Sequence, residues 1–297
     1  MRMRIERSHR PVFPPVSFVL GERLSPPNYA RSLGLEDAEL LNLHAARLAG
    51  LSARPVPPAM FGFFLAVTPE DLTDTLAFTW GRTLNVGIDV RWYGSPVTEE
   101  DQVTGQASVL DAWERPGSRG GYRQFLRLRA RFTRDDAPVC DWEVLFTESR
   151  HEATVGEVDD HDPRPAAAEP AAESASAIED LPSAVSPTVD RMMLARLSVA
   201  LDNPDPLHLD DDVARAAGFD AVVGQGSAVV GMLHEPWRRA KGLAAPVVLR
   251  SQQVRPYGIG DRLVADGQMV AADAGRAQVR DQDGELIGRA TLQEFDG

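Results

Sequence analysis

From Leu126 to Phe132 apolar residues and arginines take turns, with Leu126, Leu128, Ala130 and Phe132 separated one by one. A period of two is that of a strand with one buried face. The wider run 122–132 is therefore predicted as a strand, and similar runs stand at 84–91, 102–112 and 139–148. A second group stands at 245–254, 262–271, 277–280 and 285–295. The last two flank Asp283-Gly284, a pair that favours a tight hairpin. Helical spacing precedes each group. In the first it extends to about Val67; in the second it covers 187–200, 210–217 and a longer apolar stretch opening at Gly226 (GSAVVGMLHEPWRRAKG). Each group thus predicts a long central helix followed by an antiparallel meander, an α+β unit with the helix lying on the sheet. Two such units joined in one sheet would hide the edge strands that each exposes alone.

The two groups echo each other in sequence. Ala46-Arg47-Leu48-Ala49-Gly50-Leu51 matches Ala214-Arg215-Ala216-Ala217-Gly218-Phe219 at an offset of 168. Val90-Arg91-Trp92-Tyr93-Gly94 matches Val254-Arg255-Pro256-Tyr257-Gly258 at 164, and Gly105-Gln106 finds a later counterpart in Gly267-Gln268. Three echoes in one order point to a duplicated domain. Between them, residues 152–182 carry nine acidic side chains and one arginine among alanines and prolines. Such a run cannot bury enough apolar surface to offset its ordering entropy, so it is expected as a solvated linker. The predicted organisation is an N-terminal unit at 1–151, the linker at 152–182 and a C-terminal unit at 183–297.

Composition narrows the function. The 297 residues are 43% hydrophobic and 25% charged, as in ordinary globular proteins. A formal charge of −13 argues against nucleic acid, whose phosphates call for a basic face. No apolar run is long enough for a membrane span, and the basic start MRMRIERSHR lacks the apolar core of an export signal. A cytoplasmic protein acting on a small molecule is the expectation. The one cysteine, Cys140, excludes an intrachain disulfide framework, and no two histidines show metal-ligand spacing, so neither metal nor cofactor is expected.

The densest polar segment is Leu201-Asp202-Asn203-Pro204-Asp205-Pro206-Leu207-His208-Leu209-Asp210, succeeded by Gly218-Phe219 and Val222-Val223-Gly224-Gln225-Gly226-Ser227. Taken alone it reads as a turn between helices, since Asn-Pro and Asp-Pro are turn formers and Asp210 is a natural cap. Together with Gly218-Phe219 and the run 222–227, it resembles the MaoC-like (R)-specific enoyl-CoA hydratase/dehydratase family. The resemblance continues through Arg255-Pro256-Tyr257-Gly258-Ile259-Gly260-Asp261 to the final hairpin. The N-terminal half is similar to that family's degenerate partner domain, with Pro57-Pro58 opposite Gln225-Gly226. The resemblance implies a tandem, or double, hotdog fold. It also implies an acyl-CoA or acyl-carrier thioester as substrate, and a homodimer or a partner hotdog subunit as company.

The implied reaction is addition of water to a 2-enoyl thioester, or its reversal from a 3-hydroxyacyl thioester. By resemblance His208 is the proton-transferring residue and Gly226 supplies the oxyanion-binding N–H, with Gln225 and Ser227 beside it. This chain departs from the family pattern at two positions. Asn203 stands where the family has its catalytic aspartate, and Gln225 where it has a histidine. An amide cannot accept a proton as a carboxylate does. The carboxylate partner is then Asp205 or Asp202, with Asn203 orienting water or thioester, or His208 works alone. Leu35 and Leu40, opposite Asn203 and His208, leave the first half without the dyad. A non-catalytic thioester-binding subunit and a thioesterase remain as alternatives, because a fold does not fix a reaction.

Overall fold

In the computed structural model the described residues are 10–68, 71, 83–116, 121–150 and 177–295. The first half contains β1 (Val16–Val19), β2 (Leu84–Trp92), β3 (Gln102–Pro116), β4 (Tyr122–Arg134) and β5 (Ala137–Arg150). The second contains β6 (Glu179–Thr188), β7 (Val247–Gln253), β8 (Arg262–Ala271), β9 (Ala274–Arg280) and β10 (Leu286–Glu294). All pair antiparallel in one sheet of order β1-β3-β4-β5-β2-β7-β10-β9-β8-β6. Outward from the β2–β7 seam, the two halves have the same order. The eight predicted strands are present within a few residues of their expected bounds.

The apolar side of each strand follows the alternation. Leu126, Leu128, Ala130 and Phe132 are buried, as are Ile88, Val90 and Trp92 on β2. They pack on one core that continues across the seam into Val247, Leu249 and the central helix Gly226–Lys241. Twelve of that helix's 16 residues are buried. A helix buried nearly all round is a core helix, which fits its position wrapped by the sheet. Its last turns carry a buried ionic cluster: Arg238 binds Glu235 and Asp37, and Arg239 binds Glu235 at 2.7 Å. Asp37 belongs to the first half, so the cluster ties the halves together. None of the described helices is long and apolar enough to cross a membrane.

The duplication is visible in local chemistry. Asn42 caps helix Leu43–Leu48 through His44 N and Ala45 N, and 168 residues later Asp210 caps Asp211–Ala216 through Asp212 N and Val213 N. Gly50 and Gly218 end these turns at φ 83° and 95°, a left-handed region that favours glycine. Beyond this point the alignment shifts. Val56 N bonds Val97 O as Gly224 N bonds Tyr257 O, and Thr98 N meets Asp101 as Gly258 N meets Asp261. The later offset is therefore 160. Tyr257 matches Val97 rather than Tyr93, which corrects the echo at 164: that likeness is not structural.

Two further expectations change. Residues 179–182, assigned to the linker, begin β6, and the expected helix from 187 starts only at Arg191 (helix Arg191–Ala200, capped by the Asp190 carboxylate on Met193 N at 2.6 Å). Leu181, Ala184 and Ser186 are buried among exposed neighbours, which sets β6 against β8 at the sheet edge despite its acidic start. In the first half, residues 58–68 hold two 3-10 turns, Pro58–Met60 and Phe63–Leu65, in place of the expected long helix. Linker residues 152–176 lie outside the described residues.

Candidate active site

Helix Arg191–Ala200 runs out at Leu201, and Asp202 turns the chain at φ 47°. Asn203 Oδ1 accepts from Asp205 N at 3.1 Å, and Asp205 Oδ1 accepts from Leu207 N at 3.0 Å. These bonds, with Pro206 at the first position, build the 3-10 turn Pro206–His208. The turn faces inward, leaving Asp205 and His208 each 7% exposed.

His208 Nδ1 lies 2.8 Å from the carbonyl oxygen of Val223. A carbonyl can only accept, so Nδ1 carries the proton and Nε2 keeps its lone pair. Burial pushes the imidazole pKa below the ordinary histidine range, while the Asp205 charge and the Val223 carbonyl pull it back upward. A neutral ring with an available nitrogen is a base at neutral pH.

Val223 leads directly to the central helix. Gly224 sits under the Tyr257 ring so closely that a Cβ would lie 1.9 Å from it, so only glycine fits. Gly226 then opens the helix, with no side chain capping the free N–H groups there. Such an end combines unpaired donors with the positive pole of the helix dipole.

These groups line one cavity of about 270 Å³. Asn203, Asp205, His208, Gly226 and Ser227 come from the second half; Phe63, Phe64, Trp142 and Phe146 contribute an aromatic wall from the first. The two halves thus share the cavity, the second supplying Asp205 and His208 and the first mostly apolar surface, with Arg123 as a charged exception.

Two expected site residues face elsewhere. Asp202 forms an ion pair with Arg23, whose guanidinium also donates to Phe64 O, and it does not line the cavity. Gln225 is fully buried, but its amide donates to Leu194 O at 3.1 Å and Ser198 Oγ at 2.8 Å, on the helix behind. It fastens the helix start to its neighbour and does not line the cavity. The basic stretch ending the central helix is also engaged: Lys241 meets Glu294 at 3.3 Å, beside the Arg238 and Arg239 pairs.

Sequence reasoning missed Asn85 on β2 and Gln253 on β7, which also line the cavity. No local motif surrounds either; the β2–β7 pairing brings them together. In the first half the positions matching His208 and Gly226 are Leu40, 1% exposed, and Pro58, 168 residues earlier. Leucine cannot transfer a proton and proline has no N–H to offer. Only about 10 Å³ of space remains beside Pro58 and Ala59.

Two meanders joined edge to edge around a buried helix, with one shared cavity, define a double hotdog protein. The chain is similar to a solved MaoC-like dehydratase (14% identity, 97% of this chain and 98% of that chain, TM-score 0.70). It is also similar to a MaoC-like dehydratase from Phytophthora capsici (14%, 97% and 96%, TM-score 0.68). A third, the double hotdog protein Rv0216 from Mycobacterium tuberculosis, matches at 16% identity over 97% of both chains, TM-score 0.60. No protein-family model and no curated protein matches the sequence.

Proposed function

We propose that the protein is a hydratase/dehydratase of 2-enoyl and 3-hydroxyacyl thioesters, carried on CoA or an acyl carrier. The observation that carries this reading is the neutral, buried His208 sharing a cavity with Asp205 and the uncapped helix start at Gly226. The fold shared with two MaoC-like dehydratases agrees with it.

In the hydration direction His208 Nε2, assisted by the Asp205 carboxylate, takes a proton from water as the oxygen bonds to C3. The C2–C3 π pair moves through the thioester to its oxygen, which becomes an enolate held by Gly226 N–H. That charge returns as C2 takes the proton from the His208 imidazolium, which restores the neutral ring. Asn203 orients the water. Dehydration runs the same steps backwards, and no oxidant or reductant is consumed. A preorganised donor at a buried helix start favours the transition state because charge develops there and nowhere else.

The test is an assay of the purified full chain with crotonyl-CoA and a longer enoyl-CoA, following double-bond loss and free thiol together. Double-bond loss without thiol release is expected, falling about 100-fold or more in His208→Ala, the usual scale for a lost general base. Thiol release would identify a thioesterase instead. Full activity in His208→Ala would overturn the site.

A further inference from the structure

The seam between the halves is a short ladder, from Asp89↔Arg250 to Trp92↔Val247. One step further, a side chain takes over from the backbone: Ser251 Oγ accepts from Ile88 N at 3.2 Å and donates to Ile88 O at 2.6 Å. Beyond that bridge Asn85 and Gln253 line the cavity. Both amides converge on Gly226, where a Cβ would stand 2.3 Å from Gln253 Nε2 and 2.6 Å from Asn85 Nδ2. Gln253 Nε2 and Asn85 Oδ1 are buried atoms that find no hydrogen-bond partner among the described residues. A buried donor without an acceptor costs stability, and apolar side chains would fill the same space without that cost.

From this convergence we propose that Gln253, supported by Asn85, is a substrate-binding residue, its Nε2–H joining Gly226 N–H on the oxygen of the bound thioester. The inference rests on the hydratase reading and adds a second, side-chain donor to the anion site. Two donors from different elements fix the oxygen in direction as well as position. Both are contributed at the seam, so the anion site is completed by the joining of the halves. Glycine at 226 is then required for the room that the two amides occupy.

Gln253→Leu in the 297-residue chain is the test, with kcat, KM and thermal stability measured together. A donor that matters most as charge develops is expected to lower kcat about 10- to 100-fold with KM changed less than about threefold. The melting temperature is expected to stay or rise, because an unsatisfied buried polar group has been removed. Gln253→Glu, nearly isosteric, is expected to be slower still, since its charge opposes the enolate. A kcat within twofold of the parent, with His208→Ala inactive, overturns this inference and leaves the hydratase reading standing. If the parent turns over no enoyl thioester, calorimetry with butyryl-CoA decides: binding weaker by about two- to threefold in Gln253→Leu supports the contact. Equal binding, or a lowered melting temperature with unchanged kinetics, overturns it.

Discussion

Leu40 stands in the first half where His208 stands in the second, 168 residues apart and each two positions before a helix cap, Asn42 and Asp210. Both side chains are buried. One packs in the core and the other lines the cavity with its Nδ1 proton on Val223 O. The same local architecture therefore serves as packing in one copy and as chemistry in the other.

The protonation of His208 sets the low-pH limb of activity. Burial lowers its pKa, so the ring stays neutral below the ordinary histidine value of about 6.5. The expected kcat/KM profile rises with pH at an apparent pKa beneath that value and is flat through neutrality. A limb centred above 6.5 contradicts the assignment, and His208→Gln is expected to abolish the limb along with the activity.

Asp205 and Asp202 give opposite outcomes. Asp205→Asn is expected to lose activity about 10²-fold or more while leaving the fold intact, because an amide can still accept from Leu207 N but not take a proton. Asp202→Asn breaks only the partly exposed pair with Arg23 and is expected to leave kcat within about twofold, as surface pairs contribute little. Kinetics of the two variants side by side measure this directly.

His234 makes stability depend on acid. It is buried, and burial first, then the Arg238 charge, lowers its pKa to about 3. The unfolded chain protonates near 6.5, so between these values it binds a proton that the native state does not. Its contribution is full above pH 6.5 and is lost as pH falls towards 3, at up to about 1.4 kcal/mol per pH unit. His234 lies among Pro58, Val90, Val230, Val247 and Leu249, so His234→Leu suits the site. Denaturant titrations across this range are expected to show a shallower acid loss in the variant; parallel curves contradict the assignment.

Arg238→Met is expected to destabilise the chain by about 3 kcal/mol, because Glu235 remains buried with a weakened counter-charge and the tie to Asp37 is lost. Arg239, still beside Glu235 at 2.7 Å, keeps the loss from being larger. Adding Glu235→Leu is expected to recover part of the stability, which a double-mutant cycle reads out.

Much of this architecture was legible along the chain because its causes are short-range. Alternation places residues of β4 on one face, Asp283-Gly284 turns the last hairpin, and Asp210 caps a helix whose N–H groups lie two and three residues on. The repeat was legible up to Gly50 and Gly218, where cap and left-handed glycine recur together. It became misleading where the spacing shortens from 168 to 160, since an apolar core constrains burial rather than loop length.

What the sequence determined by itself was the eight strands of the two meanders, the central helix and the turn that carries Asp205 and His208, all dictated by neighbours a few residues apart; the edge strands β1 and β6 were not among them. Tertiary structure alone decided which polar side chains meet. Asp202 turned to Arg23, Gln225 turned to Ser198, and Asn85 met Gln253 beside Gly226 across 168 residues of chain. The reason is that a side chain's direction depends on backbone dihedrals and on the surface packed against it, and neither is recorded in residue order.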